Sequence, residues 1–151
     1  MPTNAQKARA GGHLVVAELL RRGVGDVAYD DRQRSPEVVA TDTTRSRAVT
    51  LRIKTKTTGD WQTTTALGEP REPDNEETSF WVLVDIGTDP DRAPTFHVVP
   101  DWWMRDYIHR ELQNHLRRHG GTRPNTPGST HCAIKPADVA AWRGRWDTLG
   151  L

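Results

Sequence analysis

Apolar residues recur at helical spacing near the start of the chain. Leu14, Ala17 and Leu20, with Val15 and Leu19, lie on successive turns and predict a helix over Lys7–Arg22. Gly23 stands where such a helix ends, and Gly11 and Gly12 inside it predict a close backbone approach. Residues 24–36 read as a polar loop. Glu37–Ala40 predicts a short buried strand, and Asp42–Ser46 carries turn chemistry. From Ala48 to Thr57 the pattern alternates: Val49, Leu51, Ile53 and Thr55 face one way, and Thr50, Arg52, Lys54 and Lys56 the other. Trp61–Thr64 predicts another strand, and residues 67–79 an acidic, proline-containing loop. Phe80–Ile86 is almost wholly apolar, as in a central strand covered on both faces, and Thr95–Val99 adds a further strand. Asp101 predicts the N-cap of a long helix that ends at Gly120-Gly121, with Met104, Ile108, Leu112 and Leu116 as its inner stripe. Residues 122–131 read as a loop, and Pro136 opens a last helix with Val139, Trp142, Trp146 and Leu149. This order predicts an α/β (α+β) fold, a single three-layer domain with a central mixed sheet of about four to five strands flanked by helices.

Length agrees, since 151 residues suit one domain. Hydrophobic residues make up only 34%, but six tryptophans offset that by burying a large ring at each position. Twenty-one basic and 20 acidic residues leave a net charge of +1, so overall charge steers the chain toward no class of partner. The basic side chains are 17 Arg to 4 Lys, which fits either a GC-rich genome or recognition of phosphate by bidentate guanidinium groups. No run approaches the roughly 20 apolar residues that span a bilayer. The opening residues lack the order of a secretory signal, so a cytoplasmic protein with no membrane partner is expected. A lone Cys132 excludes an internal disulfide and a multi-cysteine metal cluster.

The polar face of residues 48–57 is where chemistry is expected. Burying unpaired cations is costly, so Arg52, Lys54 and Lys56 must open onto a cleft, solvent or acidic partners. Pro36-Glu37 starts the neighbouring strand of an expected hairpin. A carboxylate and a lysine meeting there either hold a metal and a polarised water or form an ordinary surface ion pair.

Several segments, in their order and spacing, resemble a known family. Arg9-Ala10-Gly11 and Ala17–Gly23 resemble the opening helix of small nuclease-like proteins of the PD-(D/E)XK superfamily. This is the restriction-endonuclease-like fold, shared by archaeal Holliday-junction resolvases. Pro36–Ala40 is similar to its PD strand, and Val49–Thr55 to its (D/E/Q)-X-K strand, with Gly59–Gln62 following as in the small bacterial branch. Phe80–Asp85 and Phe96–Pro100 resemble the next two strands, so the likeness covers about residues 7–105, the core, ahead of a C-terminal helical part at about 101–151. The resemblance implies phosphodiester hydrolysis with Mg²⁺ or Mn²⁺, a metal that lowers the pKa of water and stabilises an in-line displacement. Glu37 then takes the place of the first acid, Ile53 supplies a main-chain carbonyl to the metal, and Lys54 is the catalytic lysine. Arg52, Lys56, Arg9, Trp61 and Gln62 are the residues expected to contact nucleic acid, DNA or RNA.

The departures all point one way. The second acid position holds Arg52, whose fixed charge repels a divalent ion. Gly12 stands where many relatives carry a helix glutamate, and the first acid is Glu, one methylene longer than Asp. Glu18 from the helix, or Asp42 from the strand end, would have to reach in from outside the motif. The alternative is a non-catalytic module that keeps the fold and binds nucleic acid or protein, in bacterial defence or repair, as a monomer or homodimer. Other candidates are weaker: His115 and His119 have zinc-compatible spacing without an HExxH glutamate, and His131 beside Cys132 has no orienting acid. Trp61, Trp102 and Trp103 either stack on bases or roof a core.

Overall fold

The first helix, α1 (Asn4–Arg21), begins earlier than its apolar spacing predicts because Thr3 and Gln6 close a capping box. The Gln6 amide donates to Thr3 Oγ1 at 3.1 Å and the Thr3 amide to Gln6 Oε1 at 2.9 Å. In the computed structural model, which describes residues 1–121 and 129–151, the elements that follow are β1 (Asp26–Asp30), β2 (Glu37–Thr41), β3 (Ala48–Lys56), β4 (Trp61–Thr64), β5 (Ser79–Asp85) and β6 (Thr95–Pro100). Then come α2 (Asp101–Arg118) and β7 (His131–Ile134), with two short 3₁₀ segments at Pro136–Trp142 and Trp146–Leu149.

Five strands form one mixed sheet in the order β1-β2-β3-β5-β6, with β3 and β5 parallel and the other neighbours antiparallel. A second, two-stranded sheet pairs β4 with β7. The alternation along β3 sets the layers. Val49, Leu51 and Ile53 join Val38, Phe80 and Val82 beneath Val15 and Leu19 of α1, together with Trp146 and Leu149. On the opposite face Trp81, Leu83 and Val99 pack against Met104, Tyr107 and Ile108 of α2 and against Trp61 and Ile134 of the small sheet. The three-layer mixed α/β architecture expected from the order of elements is what the chain adopts.

Four local expectations are corrected. Residues 24–36 contain β1, an edge strand whose short DVAYD sequence is bracketed by aspartates and whose Val27 and Tyr29 are only half-buried. Thr95–Val99 extends through Pro100, which is itself the N-cap of α2, so Asp101 is the first helical residue. The Asp101 carboxylate accepts from Trp81 Nε1 and Arg105 Nε, both at 2.7 Å, while Glu77 Oε1 in the acidic loop accepts the Trp102 amide at 2.8 Å. His131–Ile134, expected to be loop at its start, is strand β7; of the remainder of that expected loop, Ser129 and Thr130 are irregular and 122–128 lie outside the described residues. The last helix is interrupted at Gly144, whose φ of +65° no ordinary helical residue adopts, and becomes two 3₁₀ segments.

Both glycines of α1 are required by packing. A Cβ on Gly11 would overlap the Thr55 side chain of β3, and one on Gly12 would run into the Tyr29 ring of β1 and Pro36. Gly12 is therefore where α1 crosses onto the sheet edge, with no room for an acidic side chain. No described helix is long and apolar enough to cross a membrane.

Candidate anion-binding cleft

Antiparallel register places Glu37 directly opposite Arg52 across β2 and β3, and Lys54 lies two residues further along the same face of β3. The Ile53 amide donates to Pro36 O at 3.0 Å, which carries the ladder one step past β2 and anchors the loop ahead of Glu37 against Lys54. A cleft of about 740 Å³ opens over this corner. Glu37, Arg52 and Lys54 lie at its floor. The 33–36 loop with Arg34 and the start of α1 with Asn4 and Ala8 form one side, and Gln62–Thr64 of β4 with His131 the other.

Cations dominate the cleft. Arg52 forms no ion pair with Glu37; its guanidinium lies over the Trp81 ring, 5.0 Å from the centroid, which fixes the fork while leaving its N–H edges to the cleft. Among the described residues neither Lys54, Arg34 nor Glu37 has a hydrogen-bond or ion-pair partner. Burial first, then the charges of Arg52 and Arg34, lower the Lys54 ammonium below the ordinary lysine value of 10.5. Thr55 and Thr63 also border the cleft, but their hydroxyls are buried without a partner, that of Thr55 turned to Gly11 of α1. Three cations against one carboxylate make a site for an anion.

A divalent ion does not fit these residues. Glu37 is the cleft's only carboxylate among the described residues, and Arg52 faces it from the position where a second ligand would stand. Among the described residues no three His, Cys, Asp or Glu side chains are grouped to hold a metal. Glu18 does not reach in. It pairs with Arg22 at 3.0 Å and Arg21 at 3.2 Å on the α1 side of the sheet, beside Phe96 and Trp146. Asp42 is spent in its own turn, where it accepts from the Ser46 and Arg47 amides.

Of the residues expected to meet nucleic acid, Arg52 and Gln62 lie in the cleft and three others do not. Lys56 is buried, bonded to Asp85 at 3.0 Å and set 4.9 Å from the centroid of the Trp61 ring. Trp61 is only 2% exposed, and its Nε1 donates to Val84 O at 2.9 Å, so it has no face for a base. Arg9 points to Asp31, 3.7 Å away, rather than into the cleft. Sequence reasoning missed Arg34 and Thr63. Arg34 had a signal, a cation three residues before Glu37 in the loop that leads into its strand; Thr63 had none, because only tertiary packing buries its hydroxyl.

A scan against family models finds none that matches this chain, and searches of curated proteins and of solved structures find no match either.

Proposed function

We propose that the chain is a non-cleaving nucleic-acid-binding module whose cleft holds the phosphodiester backbone. It works in the reducing cytoplasm that its single buried thiol, Cys132, suits. One observation carries the reading: Arg34, Arg52 and Lys54 converge on one cleft and none is neutralised by another described side chain. A phosphate there would receive bidentate bonds from the Arg52 fork and a point charge from Lys54. Specificity for sequence is not expected, because backbone contacts position a strand without reading it.

The test is binding of labelled single- and double-stranded DNA and RNA by fluorescence anisotropy over a salt series. Each of Arg34→Ala, Arg52→Ala and Lys54→Met should weaken binding across sequences and lower the salt slope by about one. Arg52→Glu should weaken it more. Salt-independent binding, or binding that survives all three substitutions, would remove the cleft from the interface.

A second reading keeps the PD-(D/E)XK resemblance as an active nuclease, and its support is that Glu37 and Lys54 share one face and one cleft. It requires Mg²⁺- or Mn²⁺-dependent cleavage that disappears in both Glu37→Ala and Lys54→Ala. Little or no such cleavage is expected from a site with Arg52 opposite Glu37.

A further inference from the structure

The cleft holds more positive charge than one backbone phosphate can answer. Arg34, Arg52 and Lys54 line it against the single carboxylate of Glu37, so its described charged residues leave a formal balance of +2. Two elements bring the cations together. Arg52 and Lys54 stand two residues apart on one face of β3, about 7 Å along the strand, which is room for one phosphate with a hydrogen bond on either side. Between them the Ile53 amide donates to Pro36 O at 3.0 Å. That bond ties the 33–36 loop to this point of the strand and brings Arg34 to the wall of the cleft. Asn4, the first residue of α1, also borders the cleft, and no acidic side chain in the first turn offsets the positive end of the helix.

A phosphodiester inside a strand carries one negative charge and two free oxygens. The Arg52 fork takes both, and Lys54 and Arg34 are left to share them. A phosphate monoester at the end of a strand carries about −1.5 to −2 at neutral pH and has three free oxygens, each a strong acceptor. Its third oxygen gives Lys54 and Arg34 an acceptor of their own, and its charge matches the +2 of the cleft. Resting on the nucleic-acid reading above, we propose that the preferred occupant of the cleft is the terminal phosphate monoester of a nucleic-acid strand, held between Arg52 and Lys54 on β3 and Arg34 on the loop. Internal phosphates occupy the same cations less tightly. The module is then a reader of strand ends, and its natural ligand is a broken or processed strand that still carries its phosphate.

The experiment measures binding of the full chain to one single-stranded DNA sequence made with four ends: a 5′-phosphate, a 3′-phosphate, a 5′-methyl phosphate, and hydroxyls at both termini. The dye sits at the end not being varied. The methyl ester keeps the phosphate in place but removes one charge and one free oxygen. The expected result is binding about tenfold tighter for a phosphate end than for the methyl phosphate or hydroxyl end. An advantage at either the 5′ or the 3′ end supports the proposal and fixes which end the cleft takes. The advantage should vanish in Arg34→Gln and in Lys54→Met, both checked for native melting. Equal affinity for all four strands would overturn the proposal and leave the backbone reading standing. An advantage that persists in both variants would place the phosphate elsewhere and overturn it too. Free nucleoside monophosphate serves as a competitor. Competition at a concentration equal to that of the phosphorylated strand would show that the cleft takes a small phosphate monoester and would overturn the assignment to a strand. Failure of all four strands to bind would defeat the nucleic-acid reading itself.

Discussion

Lys54 and Lys56 are the same residue, two positions apart, on the same face of the same strand, yet they do opposite things. Their neighbours across the parallel pairing decide it: Lys56 is opposite Asp85 and Lys54 is opposite Leu83. The Lys56 ammonium bonds the Asp85 carboxylate beneath the Trp61 ring and becomes part of the interior. Burial pushes the Asp85 carboxyl up, but the Lys56 bond and the Gly87 amide outweigh it and leave it below the usual range. Lys54 is given no carboxylate, only Arg52 and Arg34 nearby, so its charge is a cost that only a bound anion or loss of the proton can relieve. A paired buried charge holds a fold together, whereas an unpaired one at a cleft is held ready for a ligand.

Removing the partner of the paired lysine should have the largest effect. Asp85→Ala strands Lys56 among apolar groups and should cost about 3 kcal/mol in urea unfolding. A loss under about 1 kcal/mol would mean that Lys56 swings to solvent, and would erase the contrast. Replacing the lysines themselves sharpens it. Lys56→Met should destabilise by about 1–2 kcal/mol while leaving the salt slope of DNA binding unchanged. Lys54→Met should be neutral or stabilising, within about 0.5 kcal/mol, and should lose binding. The smallest effect is one of pH. The folded state holds the Lys54 proton less tightly than the unfolded chain, where the ordinary value is 10.5. The penalty is therefore full below the lowered folded value, and stability from this group rises as pH climbs from there to 10.5. The difference in stability between wild type and Lys54→Met should narrow or reverse across that alkaline window, and a difference flat with pH would show that Lys54 is not perturbed.

A fourth comparison concerns α1. Gly12→Glu, which would restore an acid at the helix position of the resembled family, should fail to raise Mn²⁺ affinity in titration calorimetry. It should instead lower stability by about 1–3 kcal/mol, because the new side chain meets Tyr29 and Pro36. Metal binding gained without loss of stability would show that the helix can shift to make room.

The strong periodic segments were readable because burial imposes their pattern. The two-residue alternation of β3 and the apolar run of β5 each put a free-energy penalty on any other structure. β1 and β7 were not readable: each is four or five residues long, and β7 exists only because β4 is there to pair with it, some 70 residues earlier in the chain. The same divide runs through the site. That Glu37, Arg52 and Lys54 share one face followed from alternation and the hairpin. That Lys56 and Trp61 drop into the core, that Glu18 lies on the far side of the sheet, and that Arg34 enters the cleft did not.

Taken by itself, the sequence determined the order of its main elements, the inward and outward faces of β3, and the presence of an arginine where a second acid would stand. The tertiary structure decided which of the cations stay without partners. Alternation is a property of one strand and is written in its own residues, whereas the neutralisation of a charge depends on the residue across the ladder, and that residue is chosen by a register linking segments distant along the chain.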